Sequence, residues 1–323
     1  MLKIGNLELD VPFFQASLSG YSDYAMRKLA YSYGAPLTFA GVMLSKSVIH
    51  PKVLKMVKPG EDEHPIGAQL LGTDPHIMAQ AAKLLVGVGY DLIDLNFACP
   101  APKVLRRQRG GYMMRQPDNV MEIYRRVREA VDCPIMMKLR TGFDESEGCL
   151  EDFWTITTRA CAEGIDALVV HGRSVLKMYK GEADWTVIGE LKSRFPKTTI
   201  IGSGDLFDIG TVVERRKDTG VDGVTIARGA IGNPWIFREL RAIYNNVPIP
   251  AAPDVDEQGE VVRRHFEMLC GLYDEKKAVR YFRKFMVNYC RHHPERKKAQ
   301  KTLLAAKDKE QLLKGFELWY PTC

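Results

Sequence analysis

From about Phe13 to Phe237, short apolar runs alternate with longer segments of helical period. The runs are Phe13 to Leu18, Leu37 to Phe39, Ile66 to Leu71, Leu92 to Asn96, Ile135 to Leu139, Ala167 to His171, Thr199 to Gly202 and Val224 to Ala227. Continuous apolar runs of this length suit strands of a parallel sheet covered by helices. The intervening helix candidates include Ser22 to Tyr33, His76 to Val86, Asn119 to Val131 and Leu150 to Glu163, with Ser22 and Asn119 as N-caps. Eight strand units predict a closed TIM (β/α)8 barrel rather than an open sheet.

The pattern changes after residue 244. Asn245 to Asp254 holds three prolines, cannot continue a helix and reads as a linker. Beyond it the chain looks helical throughout, with Phe282, Phe285 and Tyr289 at the spacing of a core stripe. The expected division is a barrel over 1–244 and an all-helical domain over 245–323.

Charge sharpens that division. Residues 255–323 carry 15 Lys plus Arg against 10 Asp plus Glu, so they supply +5 of the chain's net +6. Between Lys276 and Lys301 ten basic residues face one acid, Glu295. Such a run is either a solvated helix face or a surface that neutralises phosphates. The seven cysteines are odd in number, without a CxxC pair, which argues against a disulfide framework or a zinc site and suits a reducing cytoplasm. No signal segment or apolar run of membrane-spanning length occurs in the 323 residues, so a soluble protein is expected, with no membrane partner.

Polar residues end several strand candidates, where a barrel aims them at one mouth. They are Gln69, Asn96 with Cys99, Lys138 with Arg140, His171 with Arg173, and the turn Ser203-Gly204-Asp205. Any one of them alone reads as structural; five strand ends in succession read as a site. The glycine turns at Ser203-Gly204-Asp205 and Ala227-Arg228-Gly229 follow the last two strands, where such barrels often bind phosphate. No dinucleotide fingerprint follows a first strand. Lys138 either stabilises negative charge on a ligand or forms an ion pair at the rim. Cys99 is either an inert thiol or a nucleophile or proton donor. Arg106, Arg107 and Arg109, just past it, hold phosphates or line a solvated loop.

With these residues assembled, the chain resembles the tRNA-dihydrouridine synthases, a family of FMN-dependent reductases. The resemblance covers nearly the whole length. It rests on Gln69-Leu70-Leu71-Gly72, Asp94-Leu95-Asn96-Phe97-Ala98-Cys99-Pro100, Lys138-Leu139-Arg140-Thr141-Gly142, His171-Gly172-Arg173, Tyr179 to Trp185, Gly202-Ser203-Gly204-Asp205 and Ala227 to Trp235. Departures at Ala16 to Asp23, Ser203 and Arg109-Gly110-Gly111 place it in a divergent branch.

The resemblance implies an FMN-binding barrel, NADPH as reductant and a helical domain that grips tRNA. By it, Ser17, Leu18, Ser19, Gln69, Lys138, His171, Ser203, Gly204, Asp205, Ala227 and Arg228 bind FMN. Asn96, Arg140 and Arg173 line the substrate, with Arg106, Arg107, Lys284, Arg291 and Lys298 on the RNA, and Cys99 is the general acid. The implied reaction is reduction of uridines in tRNA to 5,6-dihydrouridine by a monomer without a metal. Another FMN barrel enzyme, acting on a free pyrimidine or on an RNA such as rRNA, is the competing expectation.

Overall fold

Eleven strands occur among the described residues: β1 (Leu2–Ile4), β2 (Leu7–Leu9), β3 (Phe13–Gln15), β4 (Thr38–Phe39), β5 (Met43–Leu44), β6 (Ile66–Leu71), β7 (Leu92–Asn96), β8 (Ile135–Arg140), β9 (Ala167–His171), β10 (Thr199–Ser203) and β11 (Gly223–Ile226). They belong to a computed structural model that describes residues 1–321; Cys323 lies outside the described residues. β1 and β2 form an antiparallel hairpin, and the rest form one parallel sheet in the order β3-β11-β10-β9-β8-β7-β6-β4, with β5 also on β6. The Gln15 N–H donates to the Leu37 carbonyl at 3.1 Å, joining the two ends of the sheet into the expected eight-stranded barrel.

The strand candidates are borne out to within a few residues. β3 stops at Gln15, three residues before the expected Leu18, so Ser17 to Ser19 lie in the loop that follows. The N-caps differ. Asp23, not Ser22, caps the helix Tyr24–Ser32 by accepting from the Met26 N–H, because its longer carboxylate reaches the third amide. The helix expected from Asn119 starts at Pro117; Asn119 is inside it, donating to the Thr73 carbonyl at 3.2 Å.

Inside the barrel the sequence sets two layers. Leu2, Ile4 and Leu9 of the hairpin pack with Phe14, Leu37, Phe39, Leu92, Met136, Ala167, Val169 and Ile201, plugging the end where the strands begin. Side chains two residues on along a strand share its face. Above Leu92, Met136, Val169 and Ile201 the inner wall therefore carries Asp94 and Asn96, Lys138 and Arg140, His171, and Ser203. Register aligns Asn96 with Lys138, Arg140 with His171, and His171 with Ser203. The upper layer is the polar one, at the C-terminal ends of the strands.

Contacts divide the chain into two units, residues 1–20 with 36–228 and residues 21–35 with 229–323. The second unit is helical: Tyr24–Ser32, Trp235–Tyr244, Val255–Leu272, Glu275–Tyr289, Arg296–Ala305 and Lys309–Trp319. It thus includes two helices that the expected cut at 244/245 assigns to the barrel. The Glu257 carboxylate explains their placement, since it accepts from Trp235 Nε1 (2.8 Å), Arg238 Nη1 (2.7 Å) and the Tyr33 hydroxyl (3.3 Å). Phe282, Phe285 and Tyr289 are buried, as their spacing predicts. Among the described residues no helix is long and apolar enough to cross a membrane.

Candidate active site

The upper layer of the barrel begins with three amide or carboxylate side chains that bond only to one another and to backbone. Asp94 Oδ2 accepts from Gln69 Nε2 at 2.6 Å, Gln69 Oε1 accepts from Asn96 Nδ2 at 2.7 Å, and Asn96 Oδ1 accepts from the N–H groups of Ala98 (3.1 Å) and Cys99 (3.0 Å). All three side chains are buried. Cys99 is half-buried in the loop after β7, and its carbonyl accepts from the Gly111 N–H at 3.0 Å. A side chain at position 110 would place its Cβ 2.8 Å from the Cys99 Cβ, and Gly110 holds φ at +58°. That combination requires the glycine.

Lys138 stands on the neighbouring strand with its Nζ buried and without a hydrogen-bond partner among the described residues. The second Asp94 oxygen, Oδ1, is equally unpartnered. Burial pushes the Lys138 pKa down, with Asp94 opposing and Arg140 adding to the shift. Burial pushes the Asp94 carboxyl up, against its Gln69 bond and the Lys138 charge. Arg140, also buried, spends three donors on carbonyls: Nε on Ala98 (3.0 Å) and Nη1 on Ser174 (2.9 Å) and Met178 (2.7 Å). It ties the Cys99 loop to the loop after β9. Burial lowers its pKa to about 10, which leaves it a cation at neutral pH.

The next two strands carry an arginine clamp. Arg173 donates through Nη1 and Nη2 to both oxygens of Asp205, through Nε to the Lys180 carbonyl (3.2 Å), through Nη2 to the Gly181 carbonyl, and through Nη1 to His171 Nε2 (3.2 Å). A guanidinium has five N–H donors, so none is left for a ligand. These bonds make Arg173 part of the frame, and the expected substrate contact from it would compete with them. Because an arginine cannot accept, His171 Nε2 is the lone-pair nitrogen and Nδ1 carries the proton. Burial, then the charges of Lys138, Arg140, Arg173 and Arg228, hold the imidazole far below its ordinary pKa, so it is neutral.

Asp205 collects the Ala183 N–H (2.9 Å) and Arg228 Nη2 (3.0 Å) as well. Burial raises its pKa, but the Arg173 bonds, the Ala183 N–H and Arg228 outweigh that and hold the carboxyl below its ordinary value. One acid shared by two guanidiniums leaves a net positive charge. The turn is built for close approach: Gly204 has φ +126°, and a Cβ there would sit 2.6 Å from Ala183 Cβ. Ser203 is buried at the end of β10, Ala227 and Arg228 follow β11, and Ser17 Oγ donates to the Ala40 carbonyl at 2.9 Å.

The barrel residues expected at the site therefore converge, with Arg106 and Arg107 exposed on the loop beyond Cys99. Sequence reasoning passed over two others. Asp94 is an acid in an apolar strand two residues before Asn96, a spacing that already places both on one face. Tyr179 is 50% exposed, with the Arg228 guanidinium 4.4 Å and the Arg140 guanidinium 5.5 Å from its ring centroid. It opens the stretch Tyr179 to Trp185 on which the resemblance rests, but no role is read for it there, because the two arginines come from other segments.

In the helical unit the basic residues sort differently from expectation. Lys284 lies over the Tyr281 ring (3.1 Å to centroid) and near the Tyr21 ring (4.9 Å), half-buried. It is a cation held against aromatic faces. Lys298 is ion-paired with Glu295, and Arg291 is exposed. A cavity of about 470 Å³ is lined instead by Lys276, Lys277, Arg280, Arg283 and Lys307, with Asp274 and Val279.

A family model described as Dihydrouridine synthase (Dus) matches residues 14–318. A protein named probable tRNA-dihydrouridine synthase from Mycobacterium tuberculosis is 32% identical over 96% of this chain and 82% of its own length. One named tRNA-dihydrouridine synthase B from Pasteurella multocida is 33% identical over 98% of the chain and 95% of its own. Among solved structures, 2-naphthoyl-CoA reductase (TM-score 0.60, 14% identity, 76% of this chain) and histamine dehydrogenase from Rhizobium sp. 4-9 (TM-score 0.57, 14% identity, 83%) share the fold. The chain spans about half the length of each of those two, 52% and 50%.

Arg173→Lys tests the clamp. The ammonium cannot reproduce the fork, and it leaves the Lys180 and Gly181 carbonyls without their donor, while each Asp205 oxygen keeps one, Arg228 or the Ala183 N–H. Chemical denaturation of the unliganded protein is expected to show a loss of about 2–4 kcal/mol. An unchanged unfolding free energy contradicts the frame assignment and returns Arg173 to the ligand.

Proposed function

The chain belongs to the dihydrouridine synthase family, and from that premise we propose that it reduces uridines in tRNA to 5,6-dihydrouridine, with FMN bound in the barrel mouth and NADPH as reductant. The observation that carries this reading is the buried, unpartnered Lys138 Nζ. An isolated ammonium away from water costs several kcal/mol unless a negative group meets it. Asp94 on the neighbouring strand interacts with it electrostatically but makes no hydrogen bond to it, so the ammonium is placed to meet a negative group on a ligand. The donor set fits a flavin mononucleotide: a cation and a buried amide on the inner wall for the ring, and the Asp205 turn with its net positive Arg173–Asp205–Arg228 group for the phosphate.

FMN, when bound, supplies hydride to C6 of the uracil. The protein's residues do the rest. Lys138 balances negative charge on the inner wall. His171, neutral, offers a hydrogen bond from Nδ1, and the Arg140 guanidinium keeps one nitrogen, Nη2, outside its carbonyl contacts. Ser17 to Ser19, Gln69, Ala227 and Arg228 complete the cofactor wall, and Asn96 lines the substrate. Cys99 gives its thiol proton to C5. A uracil in folded RNA must leave its stack to reach these groups, and the exposed Tyr179 ring offers a face for it to stack on. Arg106, Arg107 and Arg291 meet nearby phosphates, and the cavity lined by Lys276, Arg280, Arg283 and Lys307 takes further backbone charge.

Titration of FMN into the purified apoprotein tests the carrying observation. Burial lowers the Lys138 pKa. Its charge, and the affinity that depends on it, is full near neutrality and falls as pH rises through a range below the ordinary lysine value. Lys138→Met is expected to bind about tenfold or more weakly at pH 7, a difference worth about 1.4 kcal/mol, with the gap closing toward pH 10. Equal affinity at pH 7, or a gap that does not change with pH, contradicts the role.

The RNA-binding reading is tested by salt dependence. Neutralising Lys276, Arg280, Arg283 and Lys307 together is expected to reduce the slope of log affinity for tRNA against log salt by about 2–4, near one per lost phosphate contact. Lys284→Met lowers stability and leaves the slope as it was. The reverse pattern places the RNA on Lys284 instead.

A further inference from the structure

The chain Asp94–Gln69–Asn96 has a direction, and the direction comes from one end. A carboxylate accepts and does not donate, so Asp94 forces the amide nitrogen of Gln69 toward itself at 2.6 Å. Gln69 then has only its oxygen to offer Asn96, whose nitrogen donates at 2.7 Å. Asn96 is left with its oxygen facing the N–H groups of Ala98 and Cys99 at 3.1 and 3.0 Å. Reverse any link and an amide NH2 faces two backbone N–H donors, a buried arrangement with no partner for any of them. Both amides could otherwise adopt either orientation, since their two ends are nearly the same size.

We propose that Asp94 is a positioning residue: its carboxylate sets the amide polarity of Gln69 and Asn96 and so holds the loop that carries Cys99. Among the described residues the Asp94 carboxylate makes no hydrogen bond to that loop. It acts through two side chains on β6 and β7, all three buried. The loop needs such an anchor because residues 97–101 lie outside the sheet after Phe97, whose N–H still bonds to the Lys138 carbonyl at 2.9 Å. Past that point, the bonds from Asn96 Oδ1, the Arg140 contact to the Ala98 carbonyl and the Gly111 contact to the Cys99 carbonyl fix the backbone. Only the first of these depends on Asp94. The consequence for proton delivery rests on the reading of Cys99 given above; the positioning itself does not.

Residue-resolved hydrogen exchange by NMR on the purified full-length protein, read without flavin or RNA, tests it. In Asp94→Ala the Ala98 and Cys99 amides are expected to exchange at least tenfold faster, while Phe97, held by the strand ladder, stays within twofold and serves as the internal control. Asp94→Asn keeps the shape and presents its carbonyl to Gln69 Nε2, so both loop amides stay within about twofold of wild type. Cys99 alkylation by iodoacetamide should quicken in Asp94→Ala and recover in Asp94→Asn. If Asp94→Ala does not fold, Gln69→Met cuts the chain one link further on and must show the same loss at Ala98 and Cys99. The proposal is overturned if Asp94→Ala leaves the two loop amides protected, if Asp94→Asn exposes them as Asp94→Ala does, or if Phe97 accelerates equally. These outcomes are independent of whether the wild-type protein reduces uridine.

Discussion

A carboxylate on β7 and an ammonium on β8 share the inner wall of this barrel, each with a buried atom that has no hydrogen-bond partner among the described residues. Their burial costs free energy that a merely structural core would avoid by using apolar side chains of the same volume. Asp94 and Lys138 occupy the same strand faces as Leu92 and Met136, which do pack that way one layer below. The polar layer is thus a retained cost, and the compensation proposed for it is a ligand in the mouth that brings negative charge to Lys138. The rest of the site is arranged around that requirement.

The arginines show how the surrounding frame is kept rigid. Arg173 has no donor to spare, and Arg140 spends three of its five on carbonyls of two different loops. Guanidinium groups suit this work because their planar forks meet several acceptors at once and hold their charge when buried. Arg228, over the exposed faces of Tyr179 and Phe207, is the one of the three that lies partly in solvent. Inner arginines hold the loops in place, while the outer one keeps part of its guanidinium in solvent.

How much of this could be read from the chain follows from the range of the forces involved. Strand positions were legible because continuous apolar runs report burial on both faces, and seven of the eight expected runs match strands within two residues at each end. The helix starts at Ser22 and Asn119 were misplaced because capping depends on which side chain reaches which amide, a matter of one residue's geometry. Gln69, Asn96, Lys138 and His171 were recognisable as strand-end polar residues. The contacts of Arg173 carry no local signal, because they lie in a carboxylate and carbonyls contributed by other segments. Glu257, which gathers the helices Tyr24–Ser32 and Trp235–Tyr244 into the helical unit, has no local signal at all.

The central claim is that the polar mouth of the barrel is a uridine-reducing site with Cys99 as its proton donor. Nucleoside mass spectrometry of tRNA lacking dihydrouridine, after incubation with FMN, NADPH and either wild-type protein or Cys99→Ala, tests it most directly. The account predicts dihydrouridine with the wild type, and formation slowed about 100-fold or more by Cys99→Ala while the bound-flavin spectrum is retained. No dihydrouridine from the wild-type protein, or equal rates from the two proteins, would contradict it.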